Sequence, residues 1–428
     1  MTLSKINQKF HMITIANYCL ITYAFLLPLS AKMASKILIP IVLCLFLSNE
    51  FKERLIFIVK NRIFQSFFLM LATYALWILG SEHINTAFFE LQKLFKVFLP
   101  LLIIAMSIKK EFSIKIINSF LLAMFFTIII SYCMFFKIHI PYLQLSGDNV
   151  PFMMTYTQYA TVISVVMGFS FFRLISKNKL DLLEKIFYSL LLILSFFNLL
   201  ILSSLTGYFL LFFSIIMTYL NLNKKHAIKT LLIGAFFICL SYNFAYYISP
   251  SFKNKMDYSI QTSKELVYGN FTSSIGVRIG FLFYSIDSIK KNSMFGLGTG
   301  DHVYEIRNNI IQQETNRQNI EALLQNIPES HGSNLHNQFL DIILQFGIIG
   351  LIIFFNIFYQ ISVNKTQNSY LQPLQYLLII NILLLCFANP LFIYGDVERI
   401  FILLVALLIV PFEQTTLRKQ EETNIHAI

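Results

Sequence analysis

The residues best suited to chemistry lie in one polar stretch of the chain, between positions 249 and 337. Arg278 sits near the start of Ser274–Ile289, a segment whose apolar residues recur at helical spacing, and His336 lies near the far end of the stretch. A guanidinium binds phosphate through paired hydrogen bonds, and a histidine titrates close to neutral pH. We therefore expect His336 to act as a general base.

His336 and Asn337 directly precede the apolar stretch Ile342–Phe355. Ser333 or Asn334 would be a good N-cap for a helix beginning here, which places His336 and Asn337 in its first turn. The positive end of the helix dipole would then favour a bound phosphate, with Asn337 among the substrate-binding residues. The alternative is an ordinary interfacial helix start, with polar side chains at headgroup level.

Three glycines, Gly296, Gly298 and Gly300, follow the Arg278 segment. No Lys-Ser/Thr pair follows them and no strand precedes them, so the pattern does not favour a nucleotide site. A tight turn that lets backbone pass close to a substrate is the expected role.

Other polar residues carry weaker signals. The five cysteines all fall inside apolar runs, and no His/Cys/Asp/Glu group has the spacing of a metal site, so no metal or cofactor is expected. His302 and His331 lie in the polar stretch without a supporting motif. Asp341 and several polar segments are expected towards one face, where they either line a common cavity or decorate an interface; these segments are Tyr156–Tyr159, Ser203–Gly207 and the charged residues Asp396, Glu398 and Arg399.

These residues must be positioned by a chain that is 56% hydrophobic and only 13% charged, with 45 phenylalanines among 428 residues. Continuous apolar runs of about 20 residues are typical of transmembrane helices rather than barrel strands. The sequence predicts an all-α polytopic bundle of about twelve spans. These spans are roughly 12–30, 37–48, 63–80, 97–108, 116–136, 152–172, 186–203, 205–220, 230–248, 338–362, 371–388 and 400–412.

The lysines and arginines orient these spans. If the N-terminus is cytoplasmic, the short cytoplasmic segments hold 19 of the 33 basic residues, the opposite short loops hold 6 and the long loop holds 8. This bias predicts that both termini are cytoplasmic and that residues 249–337 face outward. Basic residues spread over seven segments form no single nucleic-acid-binding face, so the net charge of +11 does not indicate nucleic acid as a partner.

The order of these features resembles that of the O-antigen ligase family, whose fold and C-terminal motif region are shared with O-antigen polymerases and bacterial protein O-oligosaccharyltransferases. The residues that carry the resemblance are Arg278, the turn Phe295–Gly300, the segment Leu335–Leu340 and the segment Gln345–Gly350. The layout resembles the family over the whole chain, and the motifs cover about eighty residues.

The resemblance implies a metal-independent glycosyltransferase at the outer face of a bacterial inner membrane. Such enzymes take a glycan from an undecaprenyl diphosphate carrier; for ligases, the acceptor is a sugar hydroxyl of lipid A–core. Arg278 matches the family's loop arginine and His336 its catalytic histidine. One residue departs from the family pattern: Leu205 stands where an arginine is often found, so Arg399 or Lys290 would have to supply the second cation for the diphosphate.

The expected organisation is an N-terminal transmembrane bundle of about nine spans at 1–248, a periplasmic loop at 249–337, C-terminal transmembrane helices at 338–412 and a cytoplasmic tail at 413–428. A polymerase, with a second lipid-linked glycan as acceptor, is the main alternative. A protein O-oligosaccharyltransferase is disfavoured because no further segment follows the last span. A transporter or flippase is disfavoured because, apart from Asp341, the marked spans contain no Asp, Glu, Lys or Arg.

Overall fold

The computed structural model of the chain describes residues 3–138, 154–176, 180–202, 205–222, 250–328, 333–365, 369–392 and 395–409, with scattered positions between 232 and 247. Within these residues every regular element is a helix. They are α1 (Leu3–Leu29), α2 (Ala31–Leu47), α3 (Phe51–Val59), α4 (Arg62–Trp77), α5 (Ile84–Ser107), α6 (Ser113–Phe135), α7 (Tyr156–Ile175), α8 (Leu182–Leu202), α9 (Leu205–Leu222), α10 (Pro250–Val267), α11 (Ser274–Lys291), α12 (His302–Gln313), α13 (Arg317–Asn326), α14 (Gln338–Val363), α15 (Gln372–Cys386) and α16 (Asp396–Leu408).

Six of these helical segments are long and apolar enough to cross a membrane, and a seventh span exists if the bent pair α2 and α3 counts as one. The six lie in α1, α4, α6, α7, α8 and α14. The predicted count of about twelve is therefore not confirmed. The apolar parts of α9 and α15 are shorter than a full span, and most of the predicted span 230–248 lies outside the described residues.

The predicted span 97–108 proves to be only the C-terminal half of α5. The helix begins at Ile84 and continues through Glu90 and Lys93, both largely buried. The ammonium of Lys93 donates to Glu90 Oε1 at 2.7 Å, so each charge satisfies the other one turn away. The predicted span 97–108 contains no ionisable residue, whereas the whole of α5 contains Glu90 and Lys93.

The polar stretch folds as four helices, α10 to α13, none of which is a candidate span. Its core joins Val277, Phe281 and Tyr284 of α11 to residues of α12 and α13 and to Leu335, Leu340 and Leu344. Burying one such large side chain contributes about 1.5–3 kcal/mol. This core continues past residue 337, so the first turns of α14 pack as part of the same unit as the loop.

Helix α11 is amphipathic, as its sequence predicts. Val277, Phe281 and Tyr284 face the loop core, whereas Ile279, Leu282 and Ile286 are exposed on the opposite side. Its N-terminus is fixed by Ser273, whose hydroxyl accepts the N–H of Gly276 at 3.0 Å. This cap sets the position of Arg278, which lies in the second turn of α11.

Candidate functional site

The start of α14 differs from its sequence prediction. Asn337, rather than Ser333 or Asn334, is the N-cap: its backbone is extended, and its Oδ1 accepts the N–H groups of Phe339 at 3.0 Å and Leu340 at 3.1 Å. The chain is held irregular up to this point because the Leu335 N–H donates to the Asp341 side chain at 3.1 Å. His336 and Asn337 therefore precede the first turn, and two of the N–H groups expected to bind phosphate are occupied by the cap.

Asn337 still offers a donor to a substrate. Its Oδ1 is occupied by the cap, whereas its Nδ2 donates to no acceptor within the described residues. The side chain is partly exposed. An amide donor next to a helix N-terminus suits an oxygen-rich ligand such as a phosphate or a sugar.

His336 has an uncommon backbone conformation for its residue type. Its φ is +56°, in the left-handed region, and its N–H donates to Asn334 Oδ1 at 3.0 Å. Its ring lies nearly parallel to that of Phe281, with centroids 6.5 Å apart and planes at 16°. Such local strain is a feature that functional sites often store.

The surroundings of His336 favour its neutral form. Partial burial and the positive charge of Arg278 lower the pKa of the imidazole from 6.5, while Asp341 acts in the opposite direction. Neutral imidazole is the form that accepts a proton, so the site is suited to a general base.

Arg278 lies on the face of α11 that carries Phe281, three residues further along. Its Nη1 donates to the carbonyl and the hydroxyl of Ser274 at 3.1 and 3.0 Å. Its Nε is buried and has no acceptor among the described residues. Burial also lowers the pKa of the guanidinium. An arginine that is half-buried and incompletely paired is suited to bind an anion through charge-assisted hydrogen bonds.

Behind His336 lies a second, fully buried histidine. His302, the first residue of α12, is 2% exposed, and its Nε2 is 3.3 Å from Oδ1 of Asp341, which is 4% exposed. Asp341 is the residue that also accepts the Leu335 N–H. Sequence patterns did not assign His302 a role, because its partner is 39 positions away and no short motif joins them.

The glycine segment forms the expected tight turn, but the backbone it approaches is α14. The Leu297 and Gly298 N–H groups donate to the carbonyls of Leu344 and Gln345 at 2.8 and 3.0 Å. Gly296 and Gly347 both have positive φ, and a Cβ on either would overlap the backbone of the other segment. The glycines thus lock the loop onto a kink in α14.

Two buried glutamines of α14 complete this arrangement; both lie in the segments that carry the family resemblance, but the sequence assigns neither a role of its own. Gln345 Oε1 accepts the Gly300 N–H at 2.9 Å. Gln338 Oε1 accepts the N–H groups of Leu391 and Phe392 at 2.5 and 3.1 Å. Together they tie the glycine turn and the segment before α16 to the start of α14.

The two candidate second cations lie on different helices. Lys290 is exposed near the C-terminal end of α11, about 18 Å from Arg278 along the helix axis. Arg399 lies on α16, where its Nη1 is 3.6 Å from Asp396 Oδ1. No contact joins either residue to Arg278 in the described part of the chain. Their roles as substrate-binding residues stay predictions.

Some of the polar segments predicted to share one face do meet. The Asn389 amide donates to Thr157 Oγ1 at 2.6 Å, and the side chain of Gln158 lies against Gly395. The start of α7 therefore adjoins the segment that leads into α16. Of the segment Ser203–Gly207, residues 203 and 204 lie outside the described residues, as does His331.

Comparison with protein families matches residues 150–355 to the family model described as O-Antigen ligase. These residues belong to the O-antigen ligase family. The match contains Arg278, the glycine turn and His336, and it ends inside α14, so it confirms the resemblance drawn from these motifs. A comparison with curated proteins finds no significant match. The chain is thus a multi-pass membrane protein, helical in the residues that the structure describes, and it carries the domain of the O-antigen ligase and polymerase family, a glycosyltransferase-like family of enzymes.

Proposed function

We propose that this protein is an O-antigen ligase, which transfers a glycan from undecaprenyl diphosphate to a sugar hydroxyl of lipid A–core. The observation that carries the proposal is that His336 faces α11 beside Arg278: its ring lies nearly parallel to that of Phe281, three residues along from Arg278, and the Arg278 charge helps to lower its pKa. A base and an incompletely paired guanidinium are the two groups that this reaction needs when no metal takes part.

In the proposed reaction, the acceptor hydroxyl oxygen attacks the anomeric carbon of the donor glycan. The new glycosidic bond forms as the bond from that carbon to the diphosphate oxygen breaks, and the electron pair leaves with undecaprenyl diphosphate. His336 takes the hydroxyl proton. Arg278 stabilises the charge that develops on the diphosphate, because its buried Nε has no acceptor in the part of the chain that the structure describes.

The proposed setting is the bacterial inner membrane. Both termini lie in the cytoplasm, about twelve spans cross the bilayer, and helices α10 to α13 lie in the periplasm between spans nine and ten. The exposed apolar face of α11, with Ile279, Leu282 and Ile286, is consistent with a helix that rests on the membrane surface. In this orientation the site meets lipid-linked substrates from the outer side.

The second cation remains the open element of the mechanism. Arg399 or Lys290 would act in place of the arginine that the family often carries at Leu205. The side chain of Leu205 lies outside what the structure describes, so the proposal rests on the sequence at this position. A diphosphate carries enough charge to need more than one donor group, and the Asn337 amide is a further neutral donor nearby.

Lipopolysaccharide from a deletion strain separates the ligase from the polymerase. A ligase predicts loss of all O-chains from the core, with lipid-linked polymer accumulating. A polymerase, whose acceptor is a second lipid-linked glycan, predicts a single repeat retained on the core. An unchanged pattern would contradict both, and accumulation of lipid-linked glycan on the cytoplasmic side would indicate a flippase.

A further inference from the structure

Asp341 sits between two histidines and touches the backbone of the catalytic segment. Its Oδ1 accepts the N–H of Leu335, the residue before His336, and the same oxygen lies 3.3 Å from Nε2 of His302. Leu335 is itself completely buried. Asp341 therefore holds His336 in place from the N-terminal side, while the Asn337 cap holds it from the C-terminal side.

The tautomer of His302 follows from its surroundings. Its Nδ1 is buried and has no hydrogen-bond partner among the described residues. Buried N–H groups without an acceptor are rarer in proteins than unpaired acceptors, so Nδ1 is the acceptor nitrogen and Nε2 carries the proton. Nε2 then lies 3.3 Å from Asp341 Oδ1, close enough for an electrostatic contact but longer than an ordinary N–H···O hydrogen bond.

On these contacts, and resting on the function proposed above, we propose that His302 is a positioning residue for the glycosyl transfer. It orients Asp341, and Asp341 in turn fixes the left-handed turn that directs the imidazole of His336. His302 touches no substrate in this scheme. Among the described residues, the charged or titratable groups that act on His336 are Arg278 on α11 and Asp341 on α14, and His302 acts on it through Asp341.

The location of His302 in the fold supports this role. It is the first residue of α12 and directly follows Asp301, whose carboxylate accepts the N–H groups of Glu82 and His83 at 2.8 and 2.9 Å. The adjoining glycine turn is fixed to α14 by the Gln345 side chain. These contacts fix the chain on the N-terminal side of His302, as a residue that positions another requires.

The test compares two polar replacements in purified protein, with lipid-linked glycan from the deletion strain as donor and core lipopolysaccharide as acceptor. The amide nitrogen of glutamine can reach the place of histidine Nε2, whereas that of asparagine falls short. His302→Gln is expected to keep most of the wild-type kcat. His302→Asn is expected to lower kcat by about 10-fold, and by up to about 100-fold, with little change in the donor KM, because Arg278 is untouched.

A double-substitution cycle tests whether His302 acts through Asp341. In the Asp341→Asn background, His302→Asn should cost little further activity, since the intermediate residue is already altered. Equal kcat values for His302→Gln and His302→Asn at matched protein levels, or full additivity with Asp341→Asn, would overturn the proposal.

His336→Ala in the same assay separates this proposal from the function on which it rests. If His336→Ala is inactive while His302→Asn equals the wild type, only the positioning role fails. If His336→Ala is fully active, the proposed catalytic site itself is wrong.

Discussion

At the scale of single residues, His336 combines partial burial with a left-handed backbone and a facing arginine. We expect His336→Ala to lower transfer by about 10²- to 10⁴-fold, the usual cost of losing a general base. The protein should remain folded, because within the described structure this side chain contributes a ring contact with Phe281 but no hydrogen bond to another element. Complementation of a deletion strain, scored by lipopolysaccharide pattern and membrane level, measures the effect. His331→Ala is the control, and wild-type O-chains from His336→Ala would contradict the assignment.

Arg278→Lys tests whether charge alone suffices. The ammonium keeps the positive charge but cannot make the planar, two-pronged contact of a guanidinium with phosphate. We expect a severe loss of O-chain transfer in the same complementation assay. Arg317→Lys is the matched control. Arg317 lies in the same loop, is exposed and forms a surface ion pair with Glu321, so the substitution should leave activity unchanged. Full activity from Arg278→Lys would exclude a bidentate phosphate contact.

The pH dependence follows from the environment of His336. Burial and Arg278 lower its pKa below 6.5, so the neutral base persists into mildly acidic solution. Protonation removes the base, so kcat/KM should fall as pH drops through that lowered pKa, with the acidic limb below 6.5. A pH–rate profile of purified protein measures the limb, and the residual activity of His336→Ala should lack it. An acidic limb well above 6.5 would show that another group controls the rate.

The sequence predicts the candidate site residues themselves, but not the residues that hold them in position. Arg278 and His336 stand in recognisable motifs. His302 acts on Asp341 from 39 positions away, and Gln345 binds Gly300 from 45 positions away, so no local pattern joins them. By residue type, Ser333 and Asn334 are as good N-caps as Asn337, so the sequence predicts that Asn337 lies inside the helix. The hydrogen bond from the Leu335 N–H to the Asp341 side chain decides which residue caps.

At the scale of elements, the glycine turn packs directly against the kink of α14. Gly347→Ala is expected to destabilise the protein by about 1–3 kcal/mol, because the new Cβ meets the backbone of Met294 and an L-residue rarely adopts a φ of +63°. Thermal unfolding in detergent measures the loss. Gly269→Ala, with positive φ but open space, isolates the backbone cost, and Gly80→Ala should be nearly neutral. Equal melting temperatures for Gly347→Ala and Gly80→Ala would contradict the close packing.

Helix positions were predicted better than helix lengths. Apolar runs located α4, α6, α7, α8, α14 and the apolar part of α1 (Met12–Leu29) to within a few residues, because hydrocarbon-facing helices must be continuously apolar. The fourth predicted span begins only after the last charged residue before the apolar run. The helix α5 begins earlier, at Ile84, and includes the Glu90–Lys93 pair. A pattern that counts charges one by one cannot recognise charges that neutralise each other.

At the scale of the whole molecule, orientation rests on the distribution of lysine and arginine. Reporter fusions after Lys115 and Lys185 should be cytoplasmic, and fusions at Asn270 and Asn319 should be periplasmic. The first pair tests the N-terminal ends of α6 and α8, and the second pair tests the helices that carry Arg278 and its neighbours. A cytoplasmic signal at Asn319 would place the site on the wrong side of the membrane for the proposed reaction.

The core that the loop shares with the first turns of α14 has a consequence for chimeric proteins. Leu335, Leu340 and Leu344 pack with Phe281, and the glycine turn is bonded to the carbonyls of Leu344 and Gln345. If the loop were exchanged between family members at residue 337, its core residues would be separated from Leu340 and Leu344. They would then have to pack against the α14 of a different protein. Exchange of acceptor specificity would therefore require a graft that runs through Gly350, so that the loop carries its own section of the helix with it.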